Sequence, residues 1–482
     1  MSLVPPRRRG AAVVLLLGLG LPLAAVGPAA AQAPPAPAPA APAPGPGPTA
    51  ADPMAPRAPL AAPGAIRPFP TPAVVLEREL TLEEAIALAL DNQPRIQARL
   101  GEYEAARQRV NQALAPLLPQ LSAGWNVFRS QVVSSITDAA GPTSGKPRWE
   151  TSTGADLTLS QRLWDFGKTY AATDAARANA SASQQNIEIE RDAFILSVKT
   201  AYFDQLLASR LVVVNEQALD RAQLNLRSAR GFFDVGTRPK SDVTRAEVDV
   251  ANARVALIRA QNAVSLARIA LNTAMGIAIN APTRVQDILA YQPFATDRAT
   301  LVAEALARRP EYRQAKARLE GAEATVRQTF RDFFPEVFGA GSVGAERADM
   351  NPSWSVGLEL RWSIFDGGNR IARYREAVGN RDTALAQVRE SELAIWREVE
   401  QAYVTVVEAE ERIAAAQKAV ESAQENFRLN QGRFDAGVGT ILELTTAQVD
   451  LANAQATEAQ ALRDYRVAIA TLERALGRRP ER

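Results

Sequence analysis

The sequence predicts a mainly helical protein with a small transmembrane-type β-component: two copies of a long antiparallel helical hairpin, each preceded by a pair of β-strands. Three observations predict it. The chain aligns with itself at an offset of 201 residues. Long proline-free stretches carry apolar residues at alternating steps of three and four. Four short windows instead alternate apolar and polar residues with period two. Composition agrees. Of 482 residues 47% are hydrophobic and 22% charged, and alanine makes up roughly a fifth, a profile suited to closely packed helices. The chain has no cysteine and no histidine, which excludes disulfides, thiolate nucleophiles, Cys/His zinc sites and histidine-based triads. The absent histidines, with only four methionines, argue against a dedicated soft-metal relay, and no cofactor is expected.

Taken in order, residues 1–31 read as an export leader. Arg7, Arg8 and Arg9 precede an apolar run from Val13 to Val26, and Ala29-Ala30-Ala31 supplies a small-residue cleavage site. The run is too short and wrongly flanked for a membrane helix, and no later stretch approaches 18 apolar residues. Without cysteine, no lipid-anchored N-terminus is expected. Removing the leader brings Lys and Arg to 52 against 53 acids, a net charge of about −1, so nothing argues for nucleic acid. Residues 32–72 are mostly Pro and Ala and read as an extended tether.

The first structural repeat is assigned to residues 73–281 and the second to 297–482, with 282–296 as connector. Ala201-Tyr202 matches Ala402-Tyr403, Gln223 and Asn225 match Gln424 and Asn426, and Gly231, Phe233, Asp234 and Gly236 match Gly432, Phe434, Asp435 and Gly437. The ungapped alignment runs from about Ala155 to Gly276. Upstream the offset becomes 216, with Pro94 on Pro310 and Pro119 on Pro335; the extra residues, Ser134 to Lys146, read as an elongated loop of the first copy.

In the second copy the apolar stripe runs Ile395, Val399, Ala402, Val406, Ala409, Ile413 and Ala416, and resumes after a turn as Leu444, Ala447, Leu451, Ala454. Its first-copy counterpart is Val243, Ala246, Val250, Ala253. The 3.5 period predicts supercoiled helices, and large residues alternating with Ala let backbones approach closely. Lys168 to Phe233 has no proline, so one helix there spans roughly 100 Å.

The strand windows are Leu121–Val127, Trp149–Leu163, Val337–Ala345 and Trp354–Ile364. Period two alone also fits a half-buried soluble sheet. The windows have transmembrane length, however, and five of six tryptophans (Trp125, Trp149, Trp164, Trp354 and Trp362) lie in them or at their ends, as a membrane-interface girdle requires. Four strands cannot close a barrel and an open edge is forbidden in lipid, so at least two chains must share one barrel.

The ordered set of Leu80-Thr81-Leu82-Glu83-Glu84-Ala85, Leu118-Pro119-Gln120, Trp164-Asp165-Phe166-Gly167 (Phe365-Asp366-Gly367-Gly368 in the second copy) and Phe-Asp-x-Gly before each second helix resembles the TolC-type outer-membrane efflux and secretion channels, over essentially all of residues 80–478. The resemblance implies a homotrimer with a 12-stranded barrel set in outer-membrane lipid of a Gram-negative bacterium, and a long periplasmic α-barrel. It implies a passive conduit in a tripartite efflux pump or type I secretion system, docked through a periplasmic adaptor (membrane fusion) protein to an inner-membrane transporter.

By that resemblance, the tips Val235-Gly236-Thr237 and Ala436-Gly437-Val438-Gly439-Thr440 are adaptor-docking ends, although their glycines equally serve to turn the chain. Asp242 and Glu443 fall where the family narrows its periplasmic aperture, and a carboxylate ring there would favour cations. Glu443 also completes a T-x-x-E capping box with Thr440. The sequence departs from the pattern in Thr446, where the family has a second acid, and Gly439, where it has a basic latch; Arg238 or Lys240 could partner an acid instead. Two other classes compete: a soluble periplasmic coiled-coil adaptor or scaffold, which leaves the tryptophan-rimmed strands unexplained, and a paired-carboxylate enzyme such as a glycosidase. Acids scattered along helix surfaces argue against the enzyme.

Overall fold

The computed structural model describes residues 78–132, 135–138, 141–144, 147–294, 298–346 and 351–479. The expectations for the leader (1–31) and the Pro/Ala segment (32–72) lie outside these residues.

Each copy opens with two short helices. In the first copy α1 (Leu82–Asn92) starts at a capping box, in which Glu84 N donates to Thr81 Oγ1 (3.3 Å) and Thr81 N donates to Glu84 Oε2 (3.0 Å). α2 (Pro94–Leu114) follows with proline in its first turn, where no backbone donor is missed. The strands β1 (Gln120–Val132), β2 (Ser135–Asp138), β3 (Gly141–Ser144) and β4 (Arg148–Trp164) come next, then α3 (Lys168–Asp234) and α4 (Lys240–Met275). The second copy repeats the plan as α5 (Arg298–Arg308), α6 (Pro310–Arg331), β5 (Glu336–Glu346), β6 (Asn351–Arg361), α7 (Asn369–Asp435) and α8 (Ile441–Leu476). The paired helices have equal lengths, 67 residues in α3 and α7 and 36 in α4 and α8, as a duplicated unit requires. At about 1.5 Å per residue, α3 and α7 each reach roughly 100 Å.

The motif before each long helix turns a strand into a helix. Phe166 and Gly167 adopt φ of 54° and 81°, and Gly367 and Gly368 adopt 69° and 85°, the left-handed region that glycine enters without a Cβ clash. Asp165 accepts from Gly167 N (3.0 Å), Thr169 N (2.8 Å) and the Thr169 hydroxyl, so it satisfies donors that the helix start leaves open. Asp366 does the same for Arg370 N (3.1 Å).

The sheet order is β1-β4-β5-β6, antiparallel throughout. The segment expected as a loop extends the β1–β4 hairpin instead. Pairing runs up to Val132 opposite Arg148, and β2 pairs with β3 from Ser135–Ser144 to Asp138–Gly141. The fourth window also ends earlier than expected. Arg361 pairs with Glu336, the first residue of β5, so Trp362 and Ile364 have no strand beside them; the Trp362 indole donates to Phe333 O (3.1 Å).

The main core sits where the long helices pass α1, α5 and the connector. Tyr202, fully buried, lies 2.9 Å from both Leu80 O and Gln286 O and shares its hydroxyl proton between them, tying the start of the described chain to the connector. The heptad stripes behave unequally. In α8, Leu444, Ala447, Leu451, Ala461, Tyr465, Ala468, Leu472 and Ala475 are buried, because α8 is flanked by both α7 and α3. In α4 only Ala246, Ala260 and Leu271 of the stripe are buried, because its main neighbour is α3 alone.

Candidate functional site

Two regions carry the predicted site residues: the sheet, and the tips of the helical hairpins. Cross-strand register sorts the sheet into two chemically opposite faces. Leu121, Ala123 and Trp125 of β1 stand opposite Leu159, Leu157 and Ala155 of β4, and the row continues through Gly341, Val343 and Ala345 of β5 to Val356, Trp354 and Pro352 of β6. The other face carries Ser122, Gly124 and Asn126, then Asp156, Thr158 and Ser160, then Ser342 and Ala340, then Ser355, Gly357 and Glu359. On the apolar face Trp354, Val356 and Leu358 are 78–80% exposed, which places bulky hydrocarbon where water cannot be the intended neighbour.

Trp164 lies opposite Val337 at the helix end of the sheet, and Trp362 follows one residue past β6. Trp125 and Trp354 occupy rows near the far end. From Trp164 to the Trp125 row is about 30 Å along β4 at ~3.3 Å per residue. A tilt of ~40° makes that about 23 Å of height, close to the ~25 Å apolar band of outer-membrane barrels. Trp149 is not level with either pair. It stands opposite Gln131 in the extended hairpin, with the Arg129 guanidinium 5.4 Å from its ring centroid. Among the described tryptophans, Trp396 of α7 is the one away from the sheet.

At the helix end of the polar face, the Phe338 ring lies between two guanidiniums, Arg361 at 4.6 Å and Arg162 at 5.4 Å. Lys168 Nζ donates to Glu336 (2.9 Å) and contacts Asp332 (2.7 Å) just below. Burial would lower the Lys168 pKa, but these two carboxylates outweigh it and the net direction is upward.

The hairpin tips are held together inside the chain. Arg238 is largely buried, its guanidinium 4.3 Å from the Phe434 ring centroid and 5.8 Å from that of Phe232. Its Nη2 donates to Gly439 O (2.7 Å) and its Nη1 pairs with Asp242 Oδ2 (3.4 Å). A basic residue of the first tip thus reaches the backbone of the second. Glu443 accepts from Thr440 N (3.1 Å) while its own N donates to Thr440 Oγ1 (3.2 Å), the complete capping box, and Arg433 lies 3.8 Å away. Asp242 and Glu443 are each engaged and make no direct pair. Val235 and Val438 are each 71% exposed, and Gly236 and Gly437 have φ of 77° and 78°.

Sequence reasoning named Arg238 as a possible partner but not its anchor, Phe434. It missed the buried amide pair in which Asn225 Nδ2 donates to Gln448 Oε1 (2.8 Å), and it quoted Asp165 and Asp366 without their capping role. The recurrence of both aspartates at the repeat offset was the available signal; the amide pair had none, because its equivalents are Asn426 and Glu247.

Comparison with known proteins agrees with this geometry. The family model described as outer membrane efflux protein matches residues 85–277 and 301–478. Nodulation protein T of Rhizobium leguminosarum bv. trifolii is 27% identical over 414 residues, covering 82% of this chain and 84% of that one. The pyoverdine export outer membrane protein OpmQ of Pseudomonas putida is 25% identical over 408 residues, covering 82% and 85%. Among solved structures, the outer membrane protein VceC of Vibrio cholerae superposes with a TM-score of 0.71 at 21% identity, over 82% of this chain and 96% of that one. With both repeats matched and the two-faced sheet in place, the chain belongs to the outer membrane efflux protein family.

Proposed function

We propose that three copies of this chain close a 12-stranded barrel in the outer membrane, and that their helical hairpins form a periplasmic conduit for export. The observation that carries this is the open sheet. β1 and β6 are its edges, one face is exposed hydrocarbon, and an unpaired edge is not tolerated in lipid. The conduit is passive, with energy from an inner-membrane transporter reached through a periplasmic adaptor that docks on the exposed tips at Val235 and Val438. Residues 1–31 act as a leader that is removed, and 32–72 as a tether. The first test is the mass of the protein extracted in mild detergent from an outer-membrane fraction. A trimer is expected there; a monomer or dimer in the soluble periplasm would return the strands to a soluble scaffold.

At the mouth, Asp242 and Glu443 supply carboxylates that favour cations, and Arg238 holds the two tips of each chain together. Asp242→Asn with Glu443→Gln is expected to loosen the mouth and weaken cation preference in single-channel recordings. Unchanged conductance and selectivity would remove these acids from the aperture.

A further inference from the structure

Between α7 and α8 of the second hairpin runs a crevice of about 420 Å3. Ala402, Ala409, Val467 and Ala468 give it an apolar floor, and Gln401, Thr405 and Thr471 a neutral polar rim. Three arginines, Arg412, Arg463 and Arg474, stand along it against two acids, Asp464 and Glu398. Both acids are spent. Asp464 accepts from Arg412 and from Arg463, each at 2.9 Å, and Glu398 accepts from the buried Arg309. Arg463 is further engaged by Asp204 (2.7 Å). Arg474 is left over. Its Nε is buried without an acceptor, and it pairs with none of the described carboxylates. A buried donor with no partner is costly, so its presence calls for an acceptor from outside the chain.

The repeat shows that the hairpin does not need these charges. The residues 201 places earlier are Leu211 for Arg412, Asn262 for Arg463, Ala263 for Asp464 and Thr273 for Arg474. α3 and α4 form the same antiparallel pair with none of the four charges.

At 3.6 residues per turn, the crevice residues lie on the sides of α7 and α8 turned away from the connector. On α8 the connector is met by Tyr465, whose hydroxyl donates to Gln292 O (2.7 Å), and by Arg466, which donates to Ile288 O (3.2 Å). On α7 it is met by Glu410, which accepts from the Tyr291 hydroxyl, while Glu400 accepts from Arg298 of α5 (2.7 Å). A helix in a ring has neighbours on two flanks and two free sides. The connector and α5 occupy one of these, and a conduit can pass only along the other. The crevice therefore opens on the conduit.

We propose that this crevice is a transit site for amphipathic organic anions, in which the Arg474 guanidinium takes the anionic group and the apolar floor takes the body. The inference rests on the conduit proposed above and names a cargo class for it. Charge and shape select that class together. A neutral amphiphile leaves Arg474 unpaired, a cation is repelled by it, and a small inorganic anion gains nothing from the floor. Three chains place three such sites at one level of the wall. Their open rim suits brief occupancy, since a conducting site must release what it binds.

The test uses the full-length protein in lipid nanodiscs, with its mass recorded alongside. The probes are 2-naphthoate and its uncharged isostere 2-naphthamide, followed by fluorescence anisotropy with the signal of empty nanodiscs subtracted. The native protein is expected to bind naphthoate at least tenfold more tightly than naphthamide. Arg474→Gln should abolish that difference, and Arg474→Lys, which keeps the charge, should retain most of it. Thr405→Trp fills the crevice from its exposed rim and should weaken both probes. Equal binding of the two probes by a native trimer would overturn the proposal. So would native affinity for naphthoate in Arg474→Gln, or unchanged binding of both probes in Thr405→Trp. Because the crevice lies within one chain, its binding can be read in any oligomeric state. A protein of monomeric mass that still prefers naphthoate would keep the site but overturn the conduit on which its transit role rests.

Discussion

Asp165 shows how much one side chain can do where a membrane strand becomes a 67-residue helix. Burial pushes its pKa up, but the hydrogen bonds from Thr169 and Gly167, with Arg162 nearby, outweigh that and hold it below the usual carboxylate value. A depressed folded-state pKa contributes stability above the ordinary value of about 3.9, and that contribution is lost as pH falls through the folded value. Thermal unfolding in detergent is therefore expected to show Asp165→Ala less stable by about 1–2 kcal/mol at neutral pH. The gap should narrow once the pH falls below about 3.9; a gap that stays constant would show that the carboxylate charge is not what the cap uses. Gly167→Ala meets two obstacles, a left-handed backbone (φ 81°) and the Arg331 guanidinium, 2.9 Å from a built Cβ. A loss of about 1–2 kcal/mol is expected from the backbone alone, visible as a lower unfolding midpoint.

At the scale of elements, the strands make the sharper prediction. Leu358 on β6 faces outward with Val356 and Leu360, while Ser355 and Gly357 share the opposite face. Leu358→Arg places a charge near the middle of the apolar band and is expected to destabilise the barrel by about 2–4 kcal/mol. Heat-modifiability on gels would measure it. Ser355→Arg, three residues away on the polar face, is expected to leave the barrel intact and alter conductance. Equal damage from both would mean that the face assignment is wrong. The element scale also shows what was legible. Period-two alternation placed every strand of the sheet, because inward and outward residues meet different solvents. Strand ends were less legible: Trp362 and Ile364 keep the alternation, but β5 has no residue left to pair with them. The extension of the β1–β4 hairpin was hidden for the opposite reason, since polar, Gly- and Pro-containing residues read as loop until their neighbours are seen to pair.

For the whole molecule, the repeat could be read from the chain alone, and with it the two hairpins, their lengths and their turns at Gly236 and Gly437. These features follow from local geometry. A 3.5 period, a missing proline or a glycine at a reversal acts within a few residues of itself. The aperture was legible only as position. That Asp242 meets Arg238, that Arg238 rests on Phe434 some 196 residues away, and that Glu443 spends its carboxylate on Thr440 depend on how four helices are rotated and slid against one another. No local pattern encodes that rotation, because it is the sum of side-chain packing along the full length of each rod. The same reason explains why equivalent residues have different fates. Ala459 and Ile258 hold the same place in the repeat, yet one is buried and the other bare, because α8 lies against both α7 and α3 while α4 has α3 as its one main neighbour.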